Sequence, residues 1–99
     1  MRTCLDRLAA QSHVDGPRVR GEADFIASRL EKSRLEKTIS NDAFLDAVAI
    51  QGALEIIAKH IEVDVSQSEI QELISQQIDR AERIEEKNPG LNTIIESRS

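Results

Sequence analysis

Tryptophan and tyrosine are absent, and Phe25 and Phe44 are the only aromatic residues among 99. A core must therefore be built from Leu, Ile, Val and Ala. No aromatic residues interleave the basic ones, so single-stranded nucleic acid finds no stacking platform. Threonine is scarce as well, while Ala, Leu, Glu, Gln, Lys and Arg are plentiful, a bias towards helix and away from strand. The one cysteine, Cys4, cannot form an internal disulfide, which argues against a disulfide-stapled secreted scaffold. Four glycines and two prolines leave no phosphate-cradling loop: Gly16 and Gly21 flank charged residues, not a strand-to-helix turn. Long apolar runs are missing too. The most apolar stretch, Ala43–Ala58, carries Asp46, Gln51 and Glu55 and is too short and too polar to span a bilayer. The first seven residues lack the apolar run of a signal peptide. A cytoplasmic chain without a membrane segment is expected.

Charge is present but unevenly placed. Residues 1–40 hold eight Lys/Arg against six Asp/Glu, a net +2, and residues 41–99 hold five against twelve, a net −7. The overall charge is −5. Such asymmetry can steer a partner or favour head-to-tail contact, although both signs are mixed throughout.

The length suits a single domain over 1–99. Thr3 and Asp6 resemble a capping box for a short first helix ending near Ser12. The run Ser12–Gly21, with Asp15-Gly16-Pro17 at its centre, reads as a turn in a mobile loop, so that 1–21 forms a short helix plus loop and 22–99 the helical core. A second helix is expected over Glu22–Lys37. It contains a tandem pentapeptide, Ser28–Lys32 and Ser33–Lys37, whose leucines lie roughly 140° apart. Ser40 is the expected cap of a third helix, with Ile39 and Phe44 as a hydrophobic staple. Apolar residues then cover most of that helix's circumference, which implies burial against more than one neighbour. Gly52 costs about 1 kcal/mol of helix propensity, and a close helix crossing or a kink would explain it. Ile61–Val65 is read as a last turn and a connector.

The fourth helix, from about Ser66 to Lys87, has the firmest boundaries. Ser66 and Glu69 form a capping box, and Val65 and Ile70 a staple. Ile70, Leu73, Ile74, Gln77, Ile78, Ala81 and Ile84 fall within roughly 140° of one another. Asp79 and Arg83 are placed for an i,i+4 pair. The stripe is the candidate surface for a partner or for self-association, with Gln77 as a polar residue able to fix register. Asn88 is expected to cap a short final helix, Pro89 opening it and Leu91, Ile94 and Ile95 folding back. The expected fold is all-α: a compact bundle of four main helices plus a short C-terminal one.

Chemistry-bearing motifs are sparse. His60, Glu62 and Asp64 are the nearest approach to a ligand cluster, but a transition-metal site wants three or four ligands with a supporting shell, and none accompanies them. His13 sits alone. Cys4 lies near a helix start, where a thiol pKa can fall, yet no histidine partner is signalled. The acidic residues show no EF-hand spacing. No catalytic residue, metal or cofactor is expected. Arg18, Arg20, Arg29, Lys32, Arg34 and Lys37 cluster within twenty residues and could meet phosphates. Residues 53–74 faintly resemble a helix-turn-helix, although Glu62 stands where glycine is usual and Glu69, Glu72 and Asp79 would repel DNA.

The reading that results is a small non-enzymatic protein–protein interaction module, acting as a regulator, inhibitor or adaptor, with a homodimer plausible. In size and acidity the chain resembles small helical antitoxins, immunity proteins and phage-encoded inhibitors, a compositional likeness that no motif carries. The alternative is a DNA-binding transcriptional or plasmid regulator using 18–37 or the degenerate motif at 53–74.

Overall fold

Local signals set most helix starts in the computed structural model, which describes residues 1–96. Five helices follow in order: α1 (Arg2–Ala9), α2 (Gly16–Leu35), α3 (Asn41–Glu62), α4 (Gln67–Lys87) and α5 (Leu91–Glu96). The described residues contain no strand. The expected all-α architecture, four main helices and a short last one, is what forms. Ser40 Oγ accepts from Ala43 N at 3.1 Å, and Ser66 Oγ from Glu69 N at 3.3 Å, so both expected serine caps are made.

The second helix begins six residues earlier than expected. Asp15 is its N-cap, its Oδ1 accepting from Arg18 N at 2.8 Å, and Pro17 sits in the first turn, where its missing N–H leaves no bond unmade. Residues 16–21, expected in a mobile loop, are therefore helical. The remaining connection is tied down. The Gln67 amide donates to Val14 O at 3.0 Å and accepts from Val14 N at 2.8 Å. Val14 itself is fully buried.

The last helix is capped differently from expectation as well. Asn88 closes α4, its side chain donating to Ile84 O at 3.2 Å. The opening of α5 is held instead by the Glu85 carboxylate, which accepts from Gly90 N and Asn92 N, each at 2.9 Å. Gly90, at φ +93°, makes the reversal that a residue with a Cβ would resist.

Helices α2 and α3 both end in a Schellman motif without glycine. Thr38 N bonds to Ser33 O and Lys37 N to Arg34 O; Val65 N bonds to His60 O and Asp64 N to Ile61 O. The left-handed residues are Lys37 (φ 58°) and Asp64 (φ 62°). Glycine fits this conformation without the Cβ clash. Lys37→Gly is therefore expected to raise unfolding free energy by about 1 kcal/mol, and Asp64→Gly by about 0.5 kcal/mol since aspartate tolerates the region better. Urea unfolding of each variant checks this.

The helices close a ring: α2 packs on α3, α3 on α4, α4 on α1, and α5 bridges α1 and α2. Arg34 lies over Phe44 at one end of the α2–α3 pair and Arg20 binds Glu62 at the other, so these helices run antiparallel. Lys87 reaches Asp46 at 3.3 Å, so α3 and α4 do too. A helix-turn-helix would instead cross them at about 90–120°. The Cα radius of gyration, 13.1 Å, matches the roughly 13 Å of a compact domain this long.

Inside the ring lie Ile26, Leu30, Ile50, Leu54, Ile70 and Ile74, each at most 2 % exposed. The pentapeptide leucines part company: Leu30 is buried while Leu35 is 76 % exposed. That split is what a displacement of roughly 140° implies. Among the described residues no helix is long and apolar enough to cross a membrane.

Candidate interaction face on the third helix

The α4 stripe is mostly taken up inside the chain. Ile70, Ile74, Ala81 and Ile84 are buried, and Leu73 and Ile78 pack against the core from its edge. Gln77, half-buried, accepts from Arg80 Nη1 at a marginal 3.5 Å, a local contact on its own helix. No ion pair forms between Asp79 and Arg83. Of this stripe only Leu73, Gln77 and Ile78 keep partial exposure.

The free surface lies on α3, which packs against two neighbours, α2 and α4, as expected, and keeps a further sector uncovered. Ala43, Ala47, Ile50, Leu54, Ile57 and Ala58 face the core between α2 and α4. On the opposite side Leu45 is 63 %, Ile56 58 % and Val48 37 % exposed. Ala49 is exposed and Gly52 half-exposed between them. Advancing about 100° per residue, these five positions fall within roughly 100° of one another, so they form one continuous stripe. Gly52 has no crossing inside the chain to explain it, because a Cβ there would meet nothing within 4 Å. Sequence reasoning missed this face because most of the circumference reads as apolar, and periodicity alone does not say which sector goes uncovered.

Clefts run along both borders of the stripe. Towards α4, Asp46 and Ala49 face Arg80, Arg83, Ile84 and Lys87. Towards α2, Phe44, Val48 and Gln51 face Leu30, Glu31 and Arg34. Arg34 sits 5.1 Å from the Phe44 ring centroid, a cation–π contact that holds it at the edge. Arg83 makes no hydrogen bond or ion pair among the described residues.

The basic residues singled out for nucleic acid do not form one surface. Arg18, Arg29 and Lys32 fall on one side of α2 and Arg20 and Arg34 on the other, by their spacing at about 100° per residue. Several are already engaged: Arg18 with Asp15, Arg20 with Glu62, Lys32 with Glu36, Arg34 with Phe44. Lys37 is the left-handed residue that ends α2. His60, Glu62 and Asp64 diverge likewise. His60 Nδ1 lies 2.8 Å from Ile56 O, Glu62 binds Arg20, and Asp64 ends α3. Among the described residues no group of three or more such side chains could hold a metal ion.

Cys4 sits in a polar knot that joins α1, α2 and α5. Its thiol donates to Glu96 Oε1 at 2.7 Å, and its N–H donates to the same oxygen at 3.1 Å. Arg7 binds Glu22 Oε2 at 2.8 Å and Glu96 Oε2 at 3.4 Å. Burial, and then the neighbouring Glu22 and Glu96 carboxylates, push the thiol pKa up. That is the opposite of nucleophile activation, so the fall suggested by its place near a helix start does not occur. Burial also pushes the Glu96 carboxyl up, but the Cys4 thiol, the Met1 amino group and Arg7 outweigh it and hold the pKa below that of an ordinary glutamate. A carboxyl depressed on folding contributes stability above its unfolded pKa and loses it as pH falls through the folded value. Stability is thus expected to decline below about pH 4.5, and Glu96→Gln to flatten that acid limb; urea midpoints from pH 6 to 3 check it.

Comparison of the chain with protein-family models, curated proteins and solved structures finds no match.

Proposed function

We propose that the chain is a non-enzymatic protein–protein interaction module that docks its partner on the outward face of α3. One observation carries this reading: Leu45, Val48 and Ile56 stand exposed in a single stripe around Ala49 and Gly52. Single exposed apolar residues are ordinary, but a continuous apolar stripe on a small domain marks a contact surface. Gly52 adds support, since it weakens α3 by about 1 kcal/mol with no contact inside the chain to offset it. The bordering clefts give a partner side chains somewhere to enter. A regulator, inhibitor or adaptor acts through a surface of this kind. A second copy of the chain and a foreign protein both fit this reading.

Nucleic-acid binding has weaker support, because the cations of α2 split between two sides and mostly face carboxylates of the same chain. Retention of duplex DNA at physiological salt is not expected.

The test is affinity capture from the native host with the parent chain and with Leu45→Glu/Ile56→Glu. A protein, or untagged copies of the chain itself, should be retained by the parent and lost by the folded variant. Identical retention by both would overturn the reading.

A further inference from the structure

The geometry points to an amphipathic helix with acidic flanks as the occupant of the α3 face. This rests on the interaction-module reading above and adds the chemistry of the partner. The protein as a whole carries −5. The N-terminal half of the stripe nonetheless has cations across both clefts, one beside Glu31 towards α2 and three against Asp46 towards α4. Arg34 stands across one cleft, over Phe44. Arg80, Arg83 and Lys87 stand across the other. Their neutralisation is incomplete. Lys87 has Asp46 at 3.3 Å, Arg80 reaches only the neutral Gln77 amide at 3.5 Å, and Arg83 makes no hydrogen bond or ion pair among the described residues. An apolar ridge with a net basic border towards α4, and with Arg34 beside Glu31 towards α2, complements a helix whose apolar seam is flanked by carboxylates. At the centre Ala49 and Gly52 leave room for close approach of a helix backbone, with Leu45 and Ile56 about three turns away from one another as larger contacts at the ends.

The same layout weighs against a second copy. Helix α4 runs antiparallel to α3 with Arg80 and Arg83 beside Ala49, one turn from Gly52. A two-fold axis at Gly52 that reverses the helices would set these arginines of one protomer close to the same residues of the other. Like charges so placed repel.

Two synthetic helices of three to four turns test the inference. Both carry leucines at i, i+3, i+4 and i+7; one has glutamates on both flanks and the other lysines. Each is fluorescently labelled and titrated with the full chain at low and at physiological salt. The glutamate peptide should bind at least about tenfold more tightly, with the preference shrinking as salt rises. Arg80→Glu/Arg83→Glu should erase or reverse the preference, and Leu45→Glu/Ile56→Glu should abolish binding of both peptides. Equal affinity for the two peptides, a preference that survives the charge reversal, or binding of neither would overturn the inference. So would light scattering that finds twice the 11.1 kDa chain mass, with the peptide excluded from that particle. If host capture depends on Ile56 while acidic flanks make no difference, the docking face stands and the acidic class falls. If capture ignores Ile56, the face itself falls.

Discussion

Ile74→Ala should lower unfolding free energy by about 3 kcal/mol, whereas Ile56→Ala should change it by less than about 0.5 kcal/mol. The residues are chemically the same and both lie mid-helix. Ile74 is fully buried on the core side of α4, while Ile56 is 58 % exposed on the outer side of α3. Truncation at Ile74 removes apolar contact and leaves a cavity that the surrounding Ile, Leu and Ala side chains only partly fill. Truncation at Ile56 removes atoms that mostly face water, and alanine's higher helix propensity offsets part of the small loss. A domain of this size holds only about 5–15 kcal/mol in total, so the first change removes a large share of it. In urea, with a slope of about 1.5 kcal/mol per molar, the Ile74→Ala midpoint should fall by about 2 M while that of Ile56→Ala stays close to the parent. The reverse pattern would mean that α4, not α3, presents the free face.

Arg7→Ala should cost about 2 kcal/mol, well beyond Arg2→Ala at under about 0.5 kcal/mol. Each arginine meets two carboxylates. Arg2 binds Asp6 and Glu82, which are 53 % and 51 % exposed, so water replaces the lost partner cheaply. Arg7 binds Glu22 and Glu96, which are 19 % and 12 % exposed. Its removal takes the cation from two carboxylates with little access to solvent; Glu96 keeps the Cys4 thiol and the Met1 amino group, so the loss falls mainly on Glu22. A full burial would put the penalty at about 3–5 kcal/mol, but Arg7 is itself 38 % exposed and solvent screens part of it. The difference between Arg7→Ala and the parent should shrink as pH falls through the Glu96 pKa that Arg7 helps to hold down, because the neutral carboxyl no longer needs the cation. Urea midpoints at pH 7 and pH 3.5 measure both effects.

The features legible in the sequence are those whose cause lies within one helical turn. Ser40 and Ser66 each sit three residues before the N–H they cap, so their signals are local. The apolar period of α4 is unbroken enough to give its inner side. Asp15-Gly16-Pro17 shows where local reading stops. The same three residues suit a turn and a helix start, and the Val14 backbone that anchors the helix start is held by Gln67, 53 positions away. The opening of α5 is similar, since its cap comes from Glu85 on the preceding helix instead of Asn88. The α3 face was hidden for a different reason. A mostly apolar circumference is compatible with several uncovered sectors, and only the placement of α2 and α4 decides that Leu45, Val48 and Ile56 remain outside. The Cys4 knot was invisible because its carboxylate partners arrive from α2 and α5.

A scan of photo-crosslinking side chains, placed singly at every exposed position of α3 and α4 and activated in the native host, tests the central claim most directly. Adduct yield should rise at Leu45, Val48, Gly52 and Ile56 and fall between them with the helical period of about 3.6 residues. Arg80 and Arg83 should give weaker adducts as the neighbouring border, and Glu72, Ser75 and Glu82 on the rest of α4 should give none. Adducts concentrated on α4 away from that border, or spread over both helices without a helical period, would contradict the assignment of the α3 face as the docking surface.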